Sequence, residues 1–243
     1  MLELNLTGHI AVVTGGSGNL GRVICRTLAQ CGADICVHYN GSKDKAEKVA
    51  QEIRAMGRRA MVAQADVGDL ASVLKMRDAV EAELGQADII VNNAVAQYKW
   101  TSVLEQDEKD FDSQYRSCVL HNVHMAKAFV PAMQQKRWGR VIAINTERAM
   151  QDIPGAGAYI SGKRGQDGVL RTLANMDYIF SPIAADRVVM ESTLRFATKL
   201  KDTLMETGKT NIKGLYLLWN MVDGREKSEL YRVYEEIIRE LGL

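Results

Sequence analysis

Thr14-Gly15-Gly16-Ser17-Gly18-Asn19-Leu20-Gly21 follows the apolar run His9-Ile10-Ala11-Val12-Val13. It leads into a segment where Leu20, Val23, Ile24, Thr27, Leu28 and Cys31 recur at intervals of three and four. The run reads as a buried strand and the recurrence as an amphipathic helix, with Gly32 where a helix stop is expected. Between a strand and a helix, glycines let the backbone approach a phosphate closely. The helix N-terminus adds unpaired N–H groups and a positive dipole end. A plain tight turn has the same composition, but this setting favours a dinucleotide.

The alternation continues outward. Asp34–Tyr39 reads as a second strand, and Ser42 stands where it can cap a helix with Ala46, Val49, Ala50, Ile53 and Met56 on one face. Ala60–Ala65, Ala87–Val91 and Gly139–Asn145 read as further strands. Asp69–Leu84, Lys109–Gln135 and Gly157–Asn175 read as helices. Strands alternating with helices imply an α/β fold, a doubly wound parallel sheet with right-handed crossovers and helices on both faces. Such sheets bind ligands at the carboxyl ends of their strands, and Gly15, Asp66, Asn93, Thr146 and Tyr159 fall at or just after those ends.

Tyr159 and Lys163 stand four apart, on one face of the last of these helices. A free phenol titrates near ~10, and a neighbouring ammonium lowers that value. Tyr with Lys one turn on therefore makes a usable general acid/base, although the same pair also occurs on solvated helix faces. Thr146, thirteen residues before Tyr159, adds a hydroxyl.

The 243 residues suffice for one α/β domain, and a net charge of +1 offers no electrostatic case for nucleic acid. No apolar run approaches the ~20 residues of a membrane span, and no secretory signal is visible. The four cysteines (25, 31, 36, 118) lack metal-ligand spacing and read as reduced core thiols of a cytoplasmic protein, and no metal is expected.

Thr14–Gly21, Ala65-Asp66-Val67, Asn92-Asn93-Ala94, Trp138-Gly139-Arg140-Val141-Ile142, Thr146, and Tyr159 with Lys163 together resemble the short-chain dehydrogenase/reductase family, especially its 3-oxoacyl-carrier-protein reductase-like members. The resemblance covers roughly residues 6–175 and implies a Rossmann-type sheet. It also implies roles. Tyr159 would exchange a proton with the substrate oxygen. Lys163 would lower the Tyr159 pKa and hold the nicotinamide ribose. Thr146, where the family usually has Ser, would bond the substrate oxygen. Gly15, Ser17, Asn19, Leu20 and Gly21 would cradle the pyrophosphate, Asp66 and Val67 would flank the adenine, and Asn93, Ala94 and Val95 would line the adjacent site. At the end of the second strand, NAD enzymes usually place a carboxylate. Here Tyr39 stands there, followed by Asn40, Ser42 and Lys43. These suit a 2′-phosphate, so NADPH is favoured over NAD. A small carbonyl or alcohol substrate and a homo-dimer or homo-tetramer, built through the helices near 109–135 and 157–175, are further implications. A dinucleotide-binding sensor or scaffold with little catalysis is the alternative.

The chain departs from the family pattern in places. Asn19 replaces a glycine of the turn, and Asn tolerates left-handed backbone. Val95 replaces the glycine after Asn92-Asn93-Ala94 and would crowd the cofactor site. Cys118 stands where the family has a fourth catalytic residue, an Asn; Asn122, one turn on, would replace it or lie at the surface. Residues 1–175 thus read as a dinucleotide-binding core, and 176–243 as an atypical, largely helical C-terminal region of the same domain. Within it Tyr178–Ser181 reads as a stunted sixth strand, Pro182 as a corner remnant, Asp186–Met205 as helical, Gly214–Trp219 as a last strand, and Leu230–Leu241 as an amphipathic helix. A substrate lid, an oligomerisation element or altered sequence all remain open for this region.

Overall fold

The computed structural model of the protein describes residues 4–146, 149, 154–171, 178–183 and 214–219. The chain forms two compact units, Met1–Val169 and Leu170–Leu243.

In the first unit β1 (Ile10–Val13), β2 (Asp34–Tyr39), β3 (Ala60–Gln64), β4 (Ile89–Asn92) and β5 (Arg140–Ala143) form one sheet in the order β3-β2-β1-β4-β5. Every pairing is parallel, with Val13 opposite both Val37 and Val91. The chain winds outward through β2 and β3, then crosses back over β1 to β4 and β5. The crevice beside β1 and β4, where the order reverses, is where such sheets bind ligands.

Two cores follow from the strand period of two. Ala11 and Val13 join Ile35, Val37 and Tyr39 under α1 (Asn19–Gln30) and α2 (Lys43–Ala55). Ile10 and Val12 join Cys36, Met61 and Ala63 under α3 (Leu70–Glu83) and α5 (His121–Lys136). Both faces of β1 and β2 are covered, which explains why β1 reads as an unbroken apolar run and why every residue of β2 is buried, Asp34 and His38 included.

Some local expectations are corrected. The buried face of α1 is Gly21, Cys25 and Ala29, whereas Leu20 and Val23 stay about half exposed. Ile24, Leu28 and Cys31 pack partly buried against the core as expected, and where the helix crosses the glycine turn there is room for glycine alone. A Cβ on Gly21 would stand 2.1 Å from the Gly15 carbonyl oxygen. Asn19 needs no left-handed backbone: among the described residues Arg137 is the one non-glycine at positive φ, and Asn19 is the first helical residue after Gly18. Ser42 occupies the N-cap of α2 without a side-chain cap bond, whereas Asp69 caps α3 through the Ala71 and Ser72 amides.

The long helix expected over 109–135 is three pieces: α4 (Glu108–Gln114), a π-helical turn (Tyr115–Leu120) and α5. Side chains inserted into the backbone ladder accompany the wide turn. Asn122 Nδ2 donates to the Cys118 carbonyl (2.6 Å), and His121 Nδ1 bonds the Ser117 carbonyl (3.0 Å). The helix α6 (Gly157–Arg171) carries the Tyr–Lys pair.

In the second unit β6 (Tyr178–Ile183) and β7 (Gly214–Trp219) pair in parallel as a sheet of their own, from Tyr178 opposite Gly214 to Ile183 opposite Trp219. Both strands were legible, but β6 is longer than expected. Pro182, read as a corner remnant, lies inside β6 opposite Leu218. The helices expected over 186–205 and 230–241 lie outside the described residues.

Candidate active site

The glycine turn is tied down from two sides. Gly15 adopts a positive φ of 61°, open to glycine at little cost. Its N–H donates to His38 Nδ1 (2.9 Å), the Gly16 N–H donates to the His38 carbonyl (2.9 Å), and His38 Nε2 donates to the Ala65 carbonyl (2.9 Å). These partners set the tautomer: Nδ1 accepts and Nε2 carries the proton. Burial depresses the His38 pKa, so the ring is held neutral. From β4, Asn93 Nδ2 donates to the Thr14 and Gly15 carbonyls (2.9 and 3.3 Å). Thr14 Oγ1 accepts from the Asn93 and Ala94 amides (2.9 and 3.1 Å). His38 and Thr14 were not singled out in the sequence, since one reads as a strand residue and the other as part of the turn.

The residues present suit a pyrophosphate. The N-terminus of α1 is capped by Gly18 with no side-chain cap bond, and no acidic residue stands in its first turn. Its N–H groups and dipole thus face no competing carboxylate. Ser17 is half-buried, and Asn19 and Leu20 are exposed beside it.

Farther along the same rim, at the end of β2, Tyr39 is 8% exposed and packs in the α1–α2 core, while Asn40, Ser42 and Lys43 are exposed. The Asn40 carbonyl accepts from Gln64 Nε2 (2.8 Å). Asp66 is exposed, with Oδ1 closing its own turn on the Gly68 amide (2.8 Å); Val67 is buried, and its carbonyl bonds His124 Nδ1 (3.0 Å). Ala94 and Val95 are half-buried after β4.

At the other side of the switch point, Lys163 Nζ lies 6.0 Å from the Tyr159 ring centroid. Lys163 is 4% exposed, and burial pushes its amine below the ordinary lysine value. Two acceptors hold it: the Ile144 carbonyl at 2.6 Å and Gln166 Oε1 at 3.0 Å. Gln166, itself 1% exposed, also donates to the Ile144 carbonyl (3.1 Å). Its place three residues after Lys163 on one helix face is the signal in the sequence that marks it. Thr146 stands two residues beyond Ile144, and the intervening Asn145 donates from Nδ2 to the Lys163 carbonyl (3.4 Å). Tyr159 is half-buried, and its backbone N–H donates to Tyr98 Oη (2.8 Å), a partner with no signal in the sequence.

Cys118 is buried, and burial raises its pKa, so it is a neutral thiol. Its thiol lies 4.0 Å from Gln114 Oε1, and an interaction with the Ser117 side chain only partly offsets the effect of burial. Asn122 is no surface residue: it is 1% exposed and accepts from Asn92 Nδ2 (2.7 Å) while bonding the Cys118 carbonyl. No helix among the described residues is long and apolar enough to cross a membrane, and none of their His, Cys, Asp and Glu side chains cluster to hold a metal.

The sequence profile described as short chain dehydrogenase matches residues 9–178. The protein belongs to this family and is an NAD(P)-dependent oxidoreductase. Among its relatives, a 3-oxoacyl-[acyl-carrier-protein] reductase of Staphylococcus epidermidis is 30% identical over 200 residues, 81% of this chain and 82% of that one. An NADPH-dependent aldehyde reductase-like protein of Arabidopsis thaliana is 31% identical over 182 residues, 70% of this chain and 67% of that one. A short chain dehydrogenase from Burkholderia cenocepacia, solved in complex with NADP, shares the fold at a TM-score of 0.67 and 24% identity, covering 88% of this chain and 97% of that one. An NAD+-bound xylitol dehydrogenase does so at a TM-score of 0.68 and 23% identity, covering 82% and 78%.

Proposed function

We propose that the protein reduces a carbonyl to an alcohol with NADPH, with Tyr159 as proton donor. The observation that carries this reading is the Lys163 ammonium, held by two oxygen acceptors beside the Tyr159 ring in a largely buried setting. A binding protein has no need of such a cation next to a phenol.

A bound nicotinamide dinucleotide supplies the hydride. The chain's own residues do the rest. Gly15, Ser17, Asn19, Leu20 and Gly21, with the first turn of α1, receive the pyrophosphate. Asp66, Val67, Asn93, Ala94 and Val95 flank the adenosine and its neighbouring ribose. Asn40, Ser42 and Lys43 bond the 2′-phosphate, and the uncharged Tyr39 leaves it unrepelled. Lys163 favours the phenolate left on Tyr159 after its proton has gone to the carbonyl oxygen. Thr146 bonds the same oxygen and fixes its position. The substrate is a small carbonyl compound, a 3-oxoacyl thioester being one candidate suggested by the staphylococcal relative. The protein assembles as a homo-oligomer in the cytoplasm.

A second reading, a dinucleotide-binding protein of little activity, draws on Cys118. Its thiol is a poor hydrogen-bonding group where an amide would complete a relay. A steady-state assay separates the two. Carbonyl-dependent NADPH oxidation that is lost in Tyr159→Phe, with NADPH binding retained, supports the enzyme. NADPH binding without turnover over a broad carbonyl panel supports the binder.

A further inference from the structure

The segment after β4 runs along the start of α6 and brings an aromatic row to Tyr159. Tyr98 Oη accepts the Tyr159 N–H (2.8 Å), which pins this segment to the helix. The Trp100 ring stacks on the Tyr159 ring, with centroids 6.0 Å apart and planes at 28°. Tyr98 and Trp100 stack in turn at 6.4 Å and 25°. Val103 closes against Gly157, where a Cβ would stand 2.9 Å from Val103 Cγ2. Despite these contacts, Trp100 remains 44% exposed and Val103 62% exposed. The two aromatic residues thus divide their tasks: Tyr98 anchors, and Trp100 presents ring surface beside the phenol.

With the Trp100 and Tyr159 ring centroids 6.0 Å apart, a carbonyl compound bonded by the Tyr159 hydroxyl sits beside Trp100, so that a ring substituent can reach its exposed surface. Lys163, the cation beside Tyr159, is already engaged by the Ile144 carbonyl and Gln166. What this segment offers a substituent is therefore ring face and aliphatic surface. Resting on the reading of Tyr159 as proton donor, we propose that Tyr98 and Trp100 form a substrate subsite selecting carbonyl compounds that carry a flat, uncharged aromatic ring next to the carbonyl.

The test compares acetophenone with 2-butanone in NADPH oxidation by the wild type, Trp100→Ala and Trp100→Phe. Acetophenone binding to the NADPH-loaded protein is followed in parallel by saturation-transfer NMR. The expected result is a kcat/KM about 10-fold or more in favour of acetophenone, the size of one good aromatic contact with its buried area. Trp100→Ala removes the preference by raising KM far more for acetophenone than for 2-butanone, with NADPH binding as the control, and Trp100→Phe keeps most of the preference. Equal use of the two ketones, or a Trp100→Ala loss shared by both, overturns the subsite. If no carbonyl turns over but acetophenone still binds in a Trp100-dependent way, the subsite stands and the reductase reading falls. Absence of that binding overturns the subsite whatever the turnover.

Discussion

Lowering the pH from 7.5 to 5 probes two imidazoles buried beneath the site. His38 and His121 are each 1% exposed. Burial depresses the His38 pKa and pushes that of His121 down to about 3. In the unfolded chain both titrate near ~6.5. Below that value the unfolded chain binds protons that the folded one refuses, so stability falls as pH falls, by about 1.4 kcal/mol per pH unit for an imidazole kept fully neutral in the folded state. For His121 this window extends down to about pH 3. At pH 5 His121 alone then costs about 2 kcal/mol, a large share of a typical ~5–15 kcal/mol. Carboxylates act lower. Burial opposes ionisation of Asp34, but Arg59 and Arg58 more than offset it and hold its pKa below the ordinary value. Its stabilisation is lost only as pH falls through that folded value, beneath ~3.9. Urea midpoints followed by circular dichroism at half-unit steps measure the slope. His121→Asn retains an amide donor toward the Ser117 carbonyl and removes the titration, so the slope between pH 6.5 and 5 drops by about 1.4 kcal/mol per unit. A wild-type stability that stays flat over this range, or an unchanged slope in His121→Asn, refutes the reasoning.

Gly21→Ala sets a Cβ 2.1 Å from the Gly15 carbonyl oxygen, so α1 must shift. The expected loss is about 1–3 kcal/mol of stability by urea titration, with a rise of about 10-fold or more in the NADPH Kd by fluorescence. Gly41→Ala, with nothing within 4 Å, is the neutral control. Gln166→Leu removes one of the two acceptors on the buried Lys163 ammonium and lowers kcat about 10-fold with little change in the NADPH Kd, read from steady-state kinetics and titration. Because burial already depresses the Lys163 amine, its charge is lost at lower pH than that of an ordinary lysine, and kcat declines as pH rises toward ~10. Gln166→Glu, a charged acceptor, moves that alkaline limb upward in a kcat profile over pH 7–10. Lys43→Ala weakens NADPH binding about 5-fold and leaves NADH binding unchanged, if the exposed Lys43 bonds the 2′-phosphate.

The first 170 residues were legible because nearly every element there obeys its local signal. Asp34–Tyr39 was readable to the residue, because Ile35, Cys36, Val37 and Tyr39 are rich in strand-forming side chains and the strand is buried along its whole length. The helix end at Gly32 was readable because glycine takes the positive φ that closes a helix, and Gly57 and Gly85 take positive φ in the same way. The π turn was not legible: Tyr115–Leu120 has ordinary helical periodicity, and the side chains of His121 and Asn122 must find their carbonyls in three dimensions. The buried face of α1 was readable in part: Ile24, Leu28 and Cys31 pack on the core, whereas Leu20 and Val23 look like core but stay exposed, and the deepest positions are the small Gly21, Cys25 and Ala29.

The sequence by itself determined the parallel sheet, the glycine turn at its switch point and the Tyr159–Lys163 pair, because periodicity, turn chemistry and i,i+4 spacing are local properties of the chain. Only the tertiary structure decided what stands around those residues: His38 bracing Gly15 from a neighbouring strand, Gln166 and the Ile144 carbonyl holding Lys163, and Tyr98 with Trp100 reaching Tyr159 from some sixty residues away. Hydrogen bonds and ring contacts depend on distance in space, and distance between far-separated segments is set by how helices and strands pack, which no local pattern records.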